Sequence, residues 1–169
     1  MNFEQQIIST FIGALAGFVF SIFLFYLTEK WKNNKINKSL SSNLQKEFDY
    51  NINFLENYKE NFETYVRQIA ANNKQIYPIF RFSKLQRLFI LETFSKGLLY
   101  KHLNSDEINN LDAMLSYFTG SMDQIHILYI EQYKIDKVSQ QETLQRFEFS
   151  KGEIIKYLKL TKILKEKLK

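Results

Sequence analysis

The stretch that decides the fold is "LQKEFDYNINFLENYKENFETYVRQI", residues 44–69. Its large apolar residues recur at alternating spacings of four and three, which is the period of one buried face of an α-helix. The spacing predicts a helix to about Asn72 or Asn73, with a serine cap between residues 39 and 42 or a direct continuation from an upstream helix. The predicted buried seam consists of Leu44, Phe48, Asn51, Leu55, Tyr58, Phe62, Tyr65 and Ile69.

The composition of this seam predicts its partners. Four of its eight residues are aromatic, and rings of that size fit poorly into a two-stranded coiled coil. We therefore expect the helix to pack in a bundle with other helices of the same chain. Asn51 is the polar position on the seam, and two alternatives stay open for it. It pairs across an oligomer interface and fixes the register, or it is bonded locally.

Upstream lies "IISTFIGALAGFVFSIFLFYL", residues 7–27, a run of 21 residues without a charge. About 20 such residues cross the hydrocarbon core of a bilayer. A cleaved signal peptide is the alternative, but it requires a basic start, whereas this chain begins with Glu4 and no Lys or Arg. We expect residues 1–30 to be a transmembrane anchor, 31–43 a basic linker or helix continuation, and 44–169 a cytoplasmic helical domain.

The flanks of the run predict its orientation. Basic residues follow the apolar run and none precedes it, which places the N-terminus outside and the rest of the chain in the cytoplasm. A composition rich in Lys, Asn, Ile, Phe and Tyr suits an AT-rich bacterial genome, so the expected location is a bacterial inner membrane. The predicted interface residues are Tyr26, Lys30, Trp31, Lys32 and Lys35.

Small residues recur every four positions within the apolar run, at Ser9, Gly13, Gly17 and Ser21. Residues four apart share a helix face, and small side chains let a second helix approach closely. The pattern predicts a homo-oligomer assembled through the membrane helix. The alternative is that glycine and serine are simply common in membrane helices.

Downstream of the seam, local signals delimit three further helices. Pro78 marks a connection over residues 72–83, and a short helix is expected from Lys84 to Lys96, ended by Gly97 in a left-handed conformation. Capping-box spacings open a third helix at Asn104 and a last one at Ser139. The fold class is therefore all-α, with three long helices and one short one after the anchor. The inward residues expected in the last two helices are Ile108, Leu111, Leu115, Phe118, Met122, Ile125 and Tyr129, then Leu144, Phe147, Ile154, Ile155 and Leu158.

Charge is segmented along the chain. Residues 151–169 contain seven Lys and two Glu, which equals the formal net charge of +5 of the whole protein. An anionic inner leaflet is a natural partner for the C-terminal and juxtamembrane lysines, and simple solvation is the alternative. Residues 64–91 carry five basic residues and no acid, whereas residues 103–133 carry five acids and no Lys or Arg.

The basic block also contains aromatic residues. Alternating rings and cations can stack on bases and hold phosphates, which predicts a site for an anionic, nucleotide-type ligand. In the alternative, the rings pin a loop to the bundle and the arginines pair with the acidic third helix. The candidate ligand-binding residues are Tyr77, Phe80, Arg81, Phe82, Lys84 and Arg87.

Signals of catalysis are lacking in the sequence. The chain has no cysteine, no Gly-rich phosphate loop, no His-Glu-x-x-His and no nucleophile elbow. His102 and His126 have no metal-ligand spacing, and each is expected to be a core or interfacial residue with a bonded nitrogen. We expect no enzyme, no catalytic residue, no metal site and no cofactor. A hydrolase using Glu and His would need a pocket that brings them together.

Two stretches resemble uncharacterised small bacterial membrane proteins that join one membrane helix to a cytoplasmic helical domain. They are "LQKEFDYNINFLENY", with Glu47, Asn51 and Leu55 spaced four apart, and "FSKGLLYKHLNSDEINNLDAMLSYF". In layout, size and charge the chain also resembles the membrane effectors of anti-phage systems. These include type III CRISPR effectors, in which a cytoplasmic domain senses a cyclic oligoadenylate and the membrane part disrupts the bilayer.

Two functions follow from the sequence as hypotheses. The first is a self-associating, non-enzymatic membrane protein whose cytoplasmic domain binds an anionic ligand or partner and signals to the membrane, as the resemblance to anti-phage effectors implies. The second is a passive scaffold that holds another protein at the membrane, with the segmented charge as its docking surface.

Overall fold

A computed structural model describes the backbone of residues 3–168 and the side chains of residues 10–168. Over this range the chain is all-helical and has no strand, which confirms the all-α class. It divides into two compact units, unit 1 (residues 1–40) and unit 2 (residues 41–169). The α-helices are α1 (Phe3–Ala70), α2 (Leu88–Ser95), α3 (Ser105–Tyr117), α4 (Gly120–Lys134) and α5 (Gln140–Lys167).

Unit 1 consists of the first part of α1, and the described side chains of its apolar run, residues 10–27, are all exposed. Its most apolar window has a mean hydropathy of 2.1, and none of that window is buried. Phe11, Phe18 and Phe25 are each more than 60% exposed. By length and composition, α1 is the one helix among the described residues that is long and apolar enough to span a membrane.

The seam of α1 in unit 2 is confirmed. All eight of its predicted residues are buried, Asn51 included. α1 runs without interruption from Phe3, so the helix continues from upstream rather than beginning at a serine cap. It ends at Ala70, slightly before the predicted end, because Asn72 takes a left-handed conformation with φ of 52°.

Helix α5 lies against the seam helix. The Gln140 side chain donates a hydrogen bond to the Ile69 carbonyl (2.8 Å) near the start of α5. Lys162 pairs with Glu56 at 2.7 Å towards its end. The order of these contacts is reversed along the two helices, so the C-terminal end of α5 lies near the first turns of unit 2.

The prediction of a single third helix is wrong, because this part of the chain forms two helices, α3 and α4. α3 ends at Tyr117, and Thr119 is extended (φ −122°, ψ 165°) before α4 begins at Gly120. Glycine is a poor helix former, which favours a break at this point. The break shifts the buried face by one residue. Ile125 is exposed, whereas α4 buries Asp123, His126, Ile130 and Tyr133.

The local stop and start signals are confirmed at three places. Gly97 has φ of 68°, as a left-handed cap requires. Asn104 and Glu107 form both hydrogen bonds of a capping box, and the Ser139 side chain accepts from the Glu142 amide at 3.1 Å. The short helix is shorter than predicted, since α2 begins at Leu88 and residues 82–84 form a separate 3₁₀ turn.

Candidate functional site

The connecting segment, residues 71–87, joins α1 to α2 and carries the candidate ligand-binding residues. It has little regular structure, so its backbone amides need partners from elsewhere. Two tyrosines of the α1 seam supply them. The Ile79 amide donates to the Tyr65 hydroxyl at 3.0 Å, and the Arg81 amide donates to the Tyr58 hydroxyl. The segment therefore lies back along α1.

Two polar residues of α1 hold the end of this segment and the start of α2. The Asn51 side chain accepts from the Gln86 amide (2.9 Å) and donates to the Gln86 carbonyl (2.7 Å). The Glu47 carboxylate accepts from the amides of Phe89 (2.8 Å) and Ile90 (3.0 Å). It caps the first turn of α2, which has no acidic residue and no side-chain cap of its own. Asn51 is therefore bonded within its own chain.

A carboxylate from α4 holds the middle of the connecting segment. Asp123 is 7% exposed. One of its oxygens accepts from the Phe82 amide at 2.6 Å, and the other lies 3.4 Å from the Ser83 amide and 3.3 Å from the Ser83 hydroxyl. These donors belong to the 3₁₀ turn, and hydrogen bonds to an ionised acceptor are the stronger kind. The turn is therefore fixed between α1 and α4.

The rings of Phe80 and Phe82 face the protein core. Phe80 is 7% exposed and Phe82 is fully buried. Both pack against Phe62 of α1, with ring centroids 5.5 and 5.8 Å apart. Phe80 also lies 6.0 Å from Phe147 of α5. In this conformation a ligand base has no access to these two rings.

Arg87 makes a structural contact as well. Its guanidinium donates to the carbonyls of Leu115 (3.4 Å) and Phe118 (2.7 Å) at the end of α3. These are orphan carbonyls of a helix C-terminus, where a cation is favoured. The structural alternative had arginine pairing with acidic side chains of the third helix. Here the partner is the helix end.

The remaining candidates are on the surface of unit 2. Tyr77 is 81% exposed, and the Lys134 ammonium lies 5.7 Å from its ring centroid. Arg81 and Lys84 are also exposed. One aromatic ring and two cations of the predicted set therefore face solvent.

His126 is buried where α4 meets α5. Its Nδ1 lies 2.7 Å from the Met122 carbonyl and its Nε2 lies 2.7 Å from the Ser150 hydroxyl. Because a carbonyl only accepts, Nδ1 carries the proton and Nε2 accepts from Ser150. Burial lowers the pKa of His126. His102, by contrast, is exposed.

No group of three His, Asp or Glu side chains suited to a metal ion occurs among the described residues.

Three lysines near the C-terminus make ion pairs. Lys162, Lys165 and Lys167 pair with Glu56, Asp49 and Glu107 respectively. The hydrogen bond from Lys167 holds the pKa of Glu107 below its usual range. Part of the C-terminal positive charge is therefore balanced within unit 2.

In unit 1, the predicted packing residues Gly13, Gly17 and Ser21 are exposed. A methyl group added to Gly13 or Gly17 would meet no atom within 4 Å, and the Ser21 hydroxyl donates to the Gly17 carbonyl at 2.8 Å. The side chain of Ser9 lies outside the described residues.

The predicted interface residues of unit 1 are solvent-exposed in the isolated chain. The Lys35 ammonium lies 5.6 Å from the Trp31 ring centroid. Such a pair keeps a cation and an amphipathic ring side by side, as residues of a headgroup region often are. The exposed set is Tyr26, Lys30, Trp31, Lys32 and Lys35.

Of the residues that hold the connecting segment, the sequence pattern singles out Asn51, with a local bond as one of its two alternatives. Tyr58 and Tyr65 fit the seam through their apolar rings, and periodicity gives no information about the partners of their hydroxyls. Glu47 is four residues before Asn51, so the two share a helix face. An acid beside a seam asparagine is the available signal for a buried polar contact.

Comparison of the chain with protein-family models, with curated proteins and with solved structures found no match.

Arg87→Ala and Arg81→Ala should differ in their effect on stability. Losing the two contacts of Arg87 should lower the free energy of unfolding by about 1–3 kcal/mol. The exposed Arg81 side chain should matter by less than about 0.5 kcal/mol. Urea denaturation of both variants of the full chain in detergent, followed by circular dichroism, measures the difference. Equal stabilities would contradict a structural role for Arg87.

Proposed function

We propose that this is a single-pass protein of the bacterial inner membrane, with its N-terminus outside and an antiparallel helical bundle in the cytoplasm. The observation that carries the proposal is the exposure of the apolar side chains of residues 10–27, which include the most apolar window of the described helix, none of it buried. A helix that is apolar on all sides is stable only in a buried setting, and lipid supplies one.

The orientation is supported by charge. Residues 30–46 contain five lysines and no acid, and basic residues stay on the cytoplasmic side of an inserted helix. Tyr26 and Trp31 lie at the end of the apolar run and just after it, and aromatic rings are enriched at membrane interfaces, which supports this orientation.

The topology can be measured directly, because the chain has no cysteine. Single cysteines are introduced as Asn2→Cys and Ser121→Cys, and intact cells are treated with a membrane-impermeant maleimide. The proposal predicts labelling of the first variant in intact cells and of the second only after the inner membrane is opened. The reverse pattern, or recovery of the protein in the soluble fraction, would contradict it.

Self-association through the membrane helix is part of the proposal. The open face at Gly13 and Gly17 has room for a neighbouring backbone, and Ser21 is on the same face because it lies four residues on. In lipid, close packing of small residues is a main source of helix association. A homo-oligomer is the assembly that a chain with one such helix forms without another protein.

Gly13→Ile with Gly17→Ile should weaken the oligomer. The two added side chains would hold a second backbone away from the helix and reduce the interface contacts. Leu15→Phe adds bulk on the opposite side of the helix, because Leu15 is two residues from each glycine, and serves as the control. Sizes of wild type and variants in detergent are compared by light scattering. An unchanged oligomer in the glycine variant would exclude this face as the interface.

For the cytoplasmic domain we propose binding of an anionic, nucleotide-type ligand. The solvent-facing residues Tyr77, Arg81 and Lys84 support it, since a ring and two cations suit a base and phosphates. The resemblance to anti-phage membrane effectors makes a cyclic oligoadenylate the first ligand to test, and the response would be a change at the membrane. No catalytic step is assigned to any residue.

A passive membrane-anchored scaffold is the second candidate. The burial of Phe80 and Phe82 and the use of Arg87 at the end of α3 favour it, because half of the predicted ligand residues have structural partners. A scaffold would hold a protein partner on the charged surface of unit 2 and would need no small ligand.

Binding of fluorescent cyclic oligoadenylates to the detergent-solubilised chain separates the two candidates. If the domain binds such a ligand, the fluorescence signal is saturable. Arg81→Glu with Lys84→Glu should lower the affinity at least about tenfold, since each lost phosphate contact removes a charge-assisted bond. Lys101→Glu with Lys137→Glu makes the same charge change elsewhere and should have no effect. If no cyclic oligoadenylate binds, this ligand class is excluded and the scaffold is favoured.

A further inference from the structure

One imidazole lies where the connecting segment meets three helices. His126 is 1% exposed. Its ring centroid lies 5.2 and 5.3 Å from those of Phe80 and Phe82 in the segment. It lies 5.3 Å from Phe62 of α1 and 5.5 Å from Phe147 of α5. The side chain that can change its charge near neutral pH is therefore packed on the segment's own rings.

The hydrogen bonds of His126 satisfy both nitrogens of the neutral ring. With Nδ1 donating to Met122 and Nε2 accepting from Ser150, each nitrogen has the partner it needs. In the imidazolium form both nitrogens are donors. The Ser150 hydroxyl would then have to turn and accept, and a cation would lie buried among four hydrocarbon rings.

The ionisable groups around His126 come from each neighbouring element. Asp123 on α4 favours the proton, and Arg146 on α5 opposes it. α1 contributes the phenols of Tyr58 and Tyr65, which pack on Phe82 and Phe80 respectively. The side chain of Arg81 in the segment is exposed. Asp123 is the acid to consider, because it lies one turn before His126 and already holds the Phe82 amide.

We propose that His126 is a pH-sensitive latch, and that its protonation releases residues 79–83 of the connecting segment from the core. Two effects act together. The buried cation weakens the packing of Phe80 and Phe82, and it attracts the Asp123 carboxylate, which competes with the bonds to Phe82 and Ser83. Residues 79–83 include the two candidate ligand rings that are buried, Phe80 and Phe82, so release would expose both. This inference does not depend on membrane insertion or on any ligand.

The direction of the pH effect follows from linkage. Burial lowers the pKa of His126 in the closed state. An imidazole exposed to water, as when the segment opens, has a pKa of about 6.5. The closed state is therefore fully favoured above about pH 6.5 and loses stability as the pH falls towards the closed-state pKa. Between those two pKa values, opening takes up one proton. The equilibrium constant for opening therefore rises about tenfold for each unit by which the pH falls.

Hydrogen exchange of the full chain in detergent tests the latch. Protection of the amides of Ile79, Arg81 and Phe82 is measured at pH 7.5 and 5.5 and corrected for intrinsic exchange rates. The latch predicts at least a fivefold loss of protection at pH 5.5 in wild type and in the control His102→Gln. His126→Gln should remove the pH dependence. Equal protection at both pH values would overturn the proposal.

Two further measurements keep the test decisive. If Asp123→Asn removes the pH dependence and His126→Gln retains it, the carboxylate is the sensor and the proposal is wrong. If His126→Gln does not fold, the ¹⁵N shifts of the wild-type His126 ring are followed against pH. The latch requires that the ring and the Phe82 amide change with the same midpoint. A ring that stays neutral while the amide changes would overturn it.

Discussion

The constraint on which unit 2 depends is that the connecting segment must bury backbone amides without forming a helix or a sheet. Polar side chains on one face of α1 supply partners: Asn51, Tyr58 and Tyr65 accept from amides of the segment, and Glu47 accepts from the first turn of α2 that follows it. The intervals of four, seven and seven residues keep these four side chains on one face of the helix. An unpaired buried amide costs about 1–3 kcal/mol. The same face therefore supplies both the apolar core and the partners of the segment.

This constraint explains where the candidate residues point. Once the amides of residues 79–90 are fixed along α1, the rings of Phe80 and Phe82 must enter the core. Tyr77, Arg81 and Lys84 then remain at the surface. Arg87 reaches the end of α3 and helps to separate it from α4. The residues of this stretch with structural contacts, Phe80, Phe82 and Arg87, are therefore different from the three exposed residues on which the ligand proposal depends.

Sequence patterns predicted what local physics decides. The α1 seam, the left-handed Gly97, the capping box at Asn104 and the apolar run of unit 1 each follow from spacing or backbone preference. The break before Gly120 was missed, because the carbonyls at the end of α3 are taken by Arg87, some 30 residues earlier. The burial of Phe80 was left open for the same reason. Periodicity does not tell which face of an irregular segment contacts the core.

Amide exchange of Gln86 at neutral pH, in the full chain in detergent, tests the central claim most directly. The account predicts strong protection in wild type and in Asn53→Ala, an exposed position of α1. Asn51→Ala should speed exchange roughly 5- to 150-fold, the equivalent of about 1–3 kcal/mol for a lost buried partner. If Gln86 exchanges like a free amide in wild type, or equally in both variants, α1 does not hold the connecting segment as described.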